Sequence, residues 1–170
     1  MENKILEGLS YALPAIVTGL VAYYFFSSFL KHNATEKKFK ALAERKRASL
    51  PIKLQAYERL LLFCERIHPL KLLVRVKPIG NNTNAYLQLL IGNMEQEFDH
   101  NLVQQIYISE DTWTAIITAK IAIINKLKEL SETAKTADEL RENILANYSK
   151  NISPTETAIS FIKNEVRKLL

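Results

Sequence analysis

Residues 9–30, LSYALPAIVTGLVAYYFFSSFL, run for 22 positions without a charge. No other feature constrains the chain as strongly, because a helix of that length rises about 33 Å against a bilayer hydrocarbon core of about 30 Å. A cleaved secretory signal does not fit. The run is too long for a signal core, the leader MENKILEG sets Glu2 and Glu7 against Lys4, and Phe25, Phe26 and Phe29 stand where a signal protease needs small side chains. The sequence therefore predicts a short leader over residues 1–8 and a retained transmembrane helix over 9–30. Pro14 falls in the first turns of that helix, where a lost backbone hydrogen bond is best tolerated.

The flanks orient the span. Residues 31–47 carry Lys31, Lys37, Lys38, Lys40, Arg45, Lys46 and Arg47 against only Glu36 and Glu44, whereas the leader's side chains sum to −1 before its amino terminus is counted. By the positive-inside rule the amino terminus lies outside and the chain from Lys31 onward lies in the cytoplasm of a cell whose inner membrane is crossed once. Residues 31–49 read as a basic juxtamembrane helical stalk with a thin apolar line through Phe39 and Leu42. Its seven cations would contact anionic lipid headgroups at about 1 kcal/mol each. The chain as a whole is +5, yet residues 48–170 are nearly neutral. That distribution, with no nucleic-acid motif beside the patch, argues against a nucleic-acid partner.

Residues 50–170 suffice for one domain with its own core. Cys64 is the single cysteine, so neither an internal disulfide nor a cysteine metal cluster can form within one chain. Its neighbours Leu60, Leu61 and Phe63 suit a buried, unreactive thiol. Four Asn-x-Ser/Thr sequons, at Asn33, Asn81, Asn147 and Asn151, would meet glycosylation only in the reverse topology.

With only four glycines in the whole chain and apolar residues at helical spacing, the domain reads as all-α, a multi-helix bundle. Pro51 is expected to restart the helical pattern after the stalk, and 51–67 puts Leu54, Tyr57, Leu60, Leu61, Phe63, Cys64 and Ile67 on one face. A short helical turn at 70–73 and a turn over 78–84, PIGNNTN, follow. A third helix over 83–100 points Tyr86, Leu87, Leu90, Ile91, Met94 and Phe98 inward. Residues 101–108 are ambiguous between helix and extended chain. Ser109 caps a long helix, 110–134, whose core stripe runs from Trp113 through Ile123 to Leu130. A shorter helix spans 137–149, and Ser153, Pro154 and Glu156 form a capping box that opens the last helix.

Glu-x-x-His occurs twice, as Glu65 with His68 and Glu97 with His100. In di-metal helical bundles such pairs supply a carboxylate and an imidazole from one face. Here Glu65 lies on the wet side of its helix, His68 abuts Pro69 and suits free carbonyls at a helix end, and no inward Glu on two further helices completes a set. Glu97 and His100 are the remaining metal candidates. Lys120 falls inside an apolar stripe, where an unpaired ammonium is costly, and Glu97 is the expected partner of this buried pair. No phosphate loop, nucleophile elbow or zinc-protease motif is present, and no cofactor is implied.

The runs LPIKLQAYERLLLFCERIHP (50–69) and EFDHNLVQQIYISEDTW (97–113) resemble an uncharacterised family of short bacterial proteins with an amino-terminal anchor and a helical cytoplasmic domain. The resemblance covers the anchor and about two thirds of the domain. It implies the architecture and transfers no site or activity.

The expected function is that of a non-enzymatic interaction module, an accessory or scaffold subunit of a membrane protein complex. Gln104, Gln105 and Tyr107, with the last helix, are the expected contact surface. Two other classes compete: a small metal protein or enzyme using Glu97, His100 or Lys120, and a lipid- or nucleic-acid-binding module using the stalk. Ala15 and Gly19, four apart in the anchor, leave homo-oligomerisation open.

Overall fold

A computed structural model describes residues 2–170, with the side chains of residues 2–13, 15, 34 and 35 outside that description. The described chain is helical and contains no strand. It comprises α1 (Glu2–Ile67), α2 (Pro69–Arg75), α3 (Thr83–Asp99), a 3-10 helix (Leu102–Tyr107), α4 (Glu110–Thr133), α5 (Ala137–Lys150) and α6 (Pro154–Leu169). Two compact units divide it, Met1–Ser49 and Leu50–Leu170.

In the first unit none of the described side chains of α1 is buried. From Ile16 to Leu30 its large apolar side chains are all exposed, Ile16 by 58% and Tyr23 by 74%, so the apolar surface runs round the whole helix. Among the described residues no helix is long and apolar enough to cross a membrane. The uncharged side chains described in succession are residues 16–30, and fifteen positions rise only about 22 Å. Of the rest of the expected 9–30 span, Pro14 is described and exposed, while the side chains of residues 9–13 and of Ala15 of the small-residue pair fall outside the description.

The expected restart at Pro51 is corrected: α1 runs through it without interruption. Proline there removes the amide that would bond the Arg47 carbonyl, but both residues are exposed, so water can satisfy the freed oxygen.

The second unit is built around one apolar core. From α1 come Tyr57, Leu60, Phe63, Cys64 and Ile67, and from α2 Leu72 and Leu73. Helices α3, α4 and α5 add Leu90 and Met94, Ile116 and Ile123, and Leu140 and Ile144, while α6 adds Ala158 and Ile162. Helices α4 and α6 pack extensively against each other.

The boundaries follow local chemistry. Gly80 adopts φ of +82° in the turn before α3, a conformation that costs a residue without Cβ nothing. Asn82 then accepts the Ala85 amide at 2.9 Å as the cap of α3. Thr136 accepts the Glu139 amide at 3.1 Å, and Glu139 reaches back to the Lys135 amide at 2.8 Å, which closes the start of α5 reciprocally. Ser153 caps α6, but not through the expected pairing with Glu156. Its hydroxyl lies 2.9 Å from the buried Thr155 hydroxyl and accepts the Thr155 amide at 3.4 Å. The ambiguous 101–108 stretch resolves as the 3-10 helix, none of whose residues is buried.

Candidate functional site

Four arrangements on the Leu50–Leu170 unit bear on function: two ionic clusters on opposite sides of the last turns of α3, a carboxylate hub on α6, and an apolar surface on the 3-10 helix. The first cluster corrects the expected pairing of Lys120 with Glu97. Lys120 on α4 donates instead to Glu95 at 2.7 Å, and its ammonium stands 4.0 Å above the Phe98 ring. Residues 95 and 97 leave a helix about 200° apart, whereas 95 and 98 share a side. The side of α3 that reaches Lys120 therefore presents Glu95 and Phe98. Lys120 is only 12% exposed but Glu95 is 44% exposed. The pair thus extends outward to water, and ion pairing plus the cation–π contact offsets the burial of the ammonium. Phe98 also stacks on Trp113 at 5.6 Å.

Glu97 points to the other side of α3, where it accepts from Arg66 of α1 at 2.7 Å and from Arg75 of α2 at 3.3 Å. Arg75 also donates to the Arg66 carbonyl at 2.9 Å. One largely covered carboxylate thus ties three helices. Glu65 is bonded by Lys71. Both acids of the two Glu-x-x-His motifs therefore face cations of the protein, and among the described residues no group of three His, Cys, Asp or Glu is placed to hold a metal. His100 is exposed at the end of α3, where its backbone amide closes the helix. His68 departs from the expected capping role. Its side chain caps nothing, its Nδ1 is buried without a partner, and burial, with Lys71 adding repulsion, holds its pKa below the ordinary value. Cys64 is fully buried, and that burial pushes its thiol up to about 12.

Glu165 is the polar centre that the sequence pattern did not mark. Its carboxylate accepts from the Tyr57 hydroxyl at 2.8 Å, from the Ser109 amide at 2.9 Å, from the Ser109 hydroxyl at 2.8 Å and from the Thr112 hydroxyl. Ser109 caps α4, so the charge of Glu165 also sits at the positive end of that helix. Burial alone would raise its pKa, but the bonds from Thr112, Ser109 and Tyr57 outweigh burial and hold it below the usual carboxylate value. Burial, with Glu165 beside it, pushes the Tyr57 phenol well above its ordinary pKa. A trace of this was present in the sequence: an acid three residues after Ile162 lies beside the inward stripe of the last helix.

The 3-10 helix exposes Leu102, Val103 and Ile106, the last two by 66% and 69%. Against it the start of the second unit sets Ile52, itself 51% exposed. Val103, Gln104 and Tyr107 line a notch of about 240 Å³ with Ile52, Gln55 and Arg59. Gln104 and Tyr107 are half-buried and Gln105 is exposed. The expected contact residues therefore lie on a surface whose apolar part the sequence reading had not singled out. In the first unit Lys37, Lys38, Lys40, Arg45, Lys46 and Arg47 are exposed, with Lys40 bonded to Glu36 at 2.8 Å. Lys31 is exposed as well.

The sequence pattern of a family of unknown function (DUF7935) matches residues 3–169. No curated protein and no solved structure matches the chain.

Proposed function

We propose, for a chain that belongs to the DUF7935 family of unknown function, a membrane-anchored interaction module. In this reading residues 9–30 span the inner membrane once, residues 31–49 lie against the anionic cytoplasmic leaflet, and the Leu50–Leu170 unit binds a subunit of a membrane complex. The observation that carries it is the unbroken exposure of apolar side chains from Ile16 to Leu30 around α1. A helix apolar on all sides needs a protein core or a lipid phase around it. The basic run that follows favours lipid.

Binding, rather than catalysis, is favoured by what the unit does with its polar groups. Lys120, Glu97 and Glu165 are each bonded to groups of the protein, and Cys64 is sealed in the core. The 3-10 helix, by contrast, leaves its apolar side chains uncovered.

The test is extraction of tagged full-length protein in mild detergent at native abundance, preceded by an alkaline wash of the membranes. Retention through the wash and a fixed stoichiometric partner, lost in the Val103→Asp, Ile106→Asp double variant, is the expected result. Release by the wash overturns the anchor. A monodisperse lone chain overturns the subunit role.

A further inference from the structure

Between the 50–67 segment of α1 and α6 lies a groove of about 360 Å³. Its walls are apolar: Leu54 and Leu61 on α1 and Val166 on α6 are half-buried, and Ile162 is 2% exposed. Tyr57 also lines it, but the Tyr57 hydroxyl is already committed to Glu165 at 2.8 Å, so this ring adds surface and no free donor. The volume lies at the small end of the range that ligand clefts occupy, about 300–1,000 Å³.

The rims are charged unequally. Lys163 and Arg167, four apart on α6, make no ion pair or side-chain hydrogen bond among the described residues. Glu58 on the α1 rim is equally unengaged. An occupant must therefore offer an apolar body to the walls and a negative group to the α6 rim, and Glu58 repels that group from the α1 rim. The planar fork of Arg167 matches a carboxylate, with Lys163 as a second point charge.

We propose that this groove binds a single-chain fatty acid, its carboxylate on Lys163 and Arg167 and its chain along Leu54, Leu61, Ile162 and Val166. The site lies wholly within the Leu50–Leu170 unit and does not rest on the scaffold reading.

The experiment places the full chain in phosphatidylcholine nanodiscs with dodecanoate carrying a diazirine at its methyl end, and maps the photolabelled residues by mass spectrometry. Labelling should fall within 50–67 and 154–169. Unlabelled dodecanoate should suppress it and dodecyltrimethylammonium should not. Competition should strengthen about fourfold per added methylene from octanoate upward. Lys163→Glu with Arg167→Glu should lower labelling at least tenfold at unchanged melting temperature, and Leu61→Phe, which narrows the groove, should lower it with both cations present.

Labelling spread evenly over the helices, equal competition by the cationic amphiphile, or a folded double variant that labels as before overturns the proposal. Labelling within 9–30 reports insertion of that segment separately, so failure of the anchor and failure of the groove are read from different peptides.

Discussion

Glu165 concentrates four donors on one carboxylate, and its removal leaves the Tyr57 hydroxyl and the Ser109 amide without their acceptor. Glu165→Ala should destabilise the protein by about 1–3 kcal/mol, measured by urea unfolding, while Glu165→Gln, which still accepts, should cost less. The pH dependence has a definite sign. The folded pKa of Glu165 lies below the ordinary 4.5, so its contribution is complete above that pH and is lost as pH falls through the folded value. His68 acts over a higher window. Its folded pKa is lowered from 6.5, so the unfolded chain takes up a proton first and stability falls as pH drops below 6.5 toward the folded value. In His68→Gln that part of the pH–stability profile should flatten; an unchanged slope would show that another group produces it. Neither effect was legible from spacing. Glu165 sits beside an apolar stripe, but its donors Tyr57 and Ser109 lie more than 50 positions away, and the burial that lowers the pKa of His68 depends on packing that the neighbouring proline does not reveal.

At the scale of elements, the caps read most directly. Ser109, Thr136 and Ser153 each accept an amide at the start of the helix they precede. Ser109→Ala should cost about 1–2 kcal/mol, in the upper part of that range because the same hydroxyl also donates to Glu165. Pro51 is the opposite case. Because α1 continues through it, Pro51→Ala should raise the melting temperature and the helical circular dichroism signal, with a gain of up to about 3 kcal/mol. A loss would mean that the proline is needed where it stands. Its position suits the first turn of a helix as well as an exposed interior, and local sequence cannot distinguish the two. The 101–108 stretch resisted reading for a related reason. Its apolar residues follow neither a helical nor a strand period, and a 3-10 helix that buries none of them leaves no pattern to find.

At the scale of the whole molecule, the two units bear opposite relations to water. The Leu50–Leu170 unit encloses a core of apolar residues and leaves others, such as Val103 and Ile106, at its surface, whereas the described apolar residues of Met1–Ser49 stay outside any core. On the proposed reading, exchange of Lys37, Lys38 and Lys40 for Gln should weaken binding to anionic vesicles relative to neutral ones, by about 1 kcal/mol per residue. Co-sedimentation at two salt concentrations checks this, and an unchanged affinity would remove the stalk from lipid contact. The all-helical class, the helix order and the placement of charge beside an uncharged run were determined by the sequence alone, because periodicity, capping and composition act over a few residues. The partners of Lys120, Glu97 and Glu165, the uncovered 3-10 helix and the groove between α1 and α6 were decided only in the tertiary structure. Each depends on which faces of distant helices meet, and a two-residue step along α3, from Glu95 to Glu97, is enough to exchange one neighbour for another.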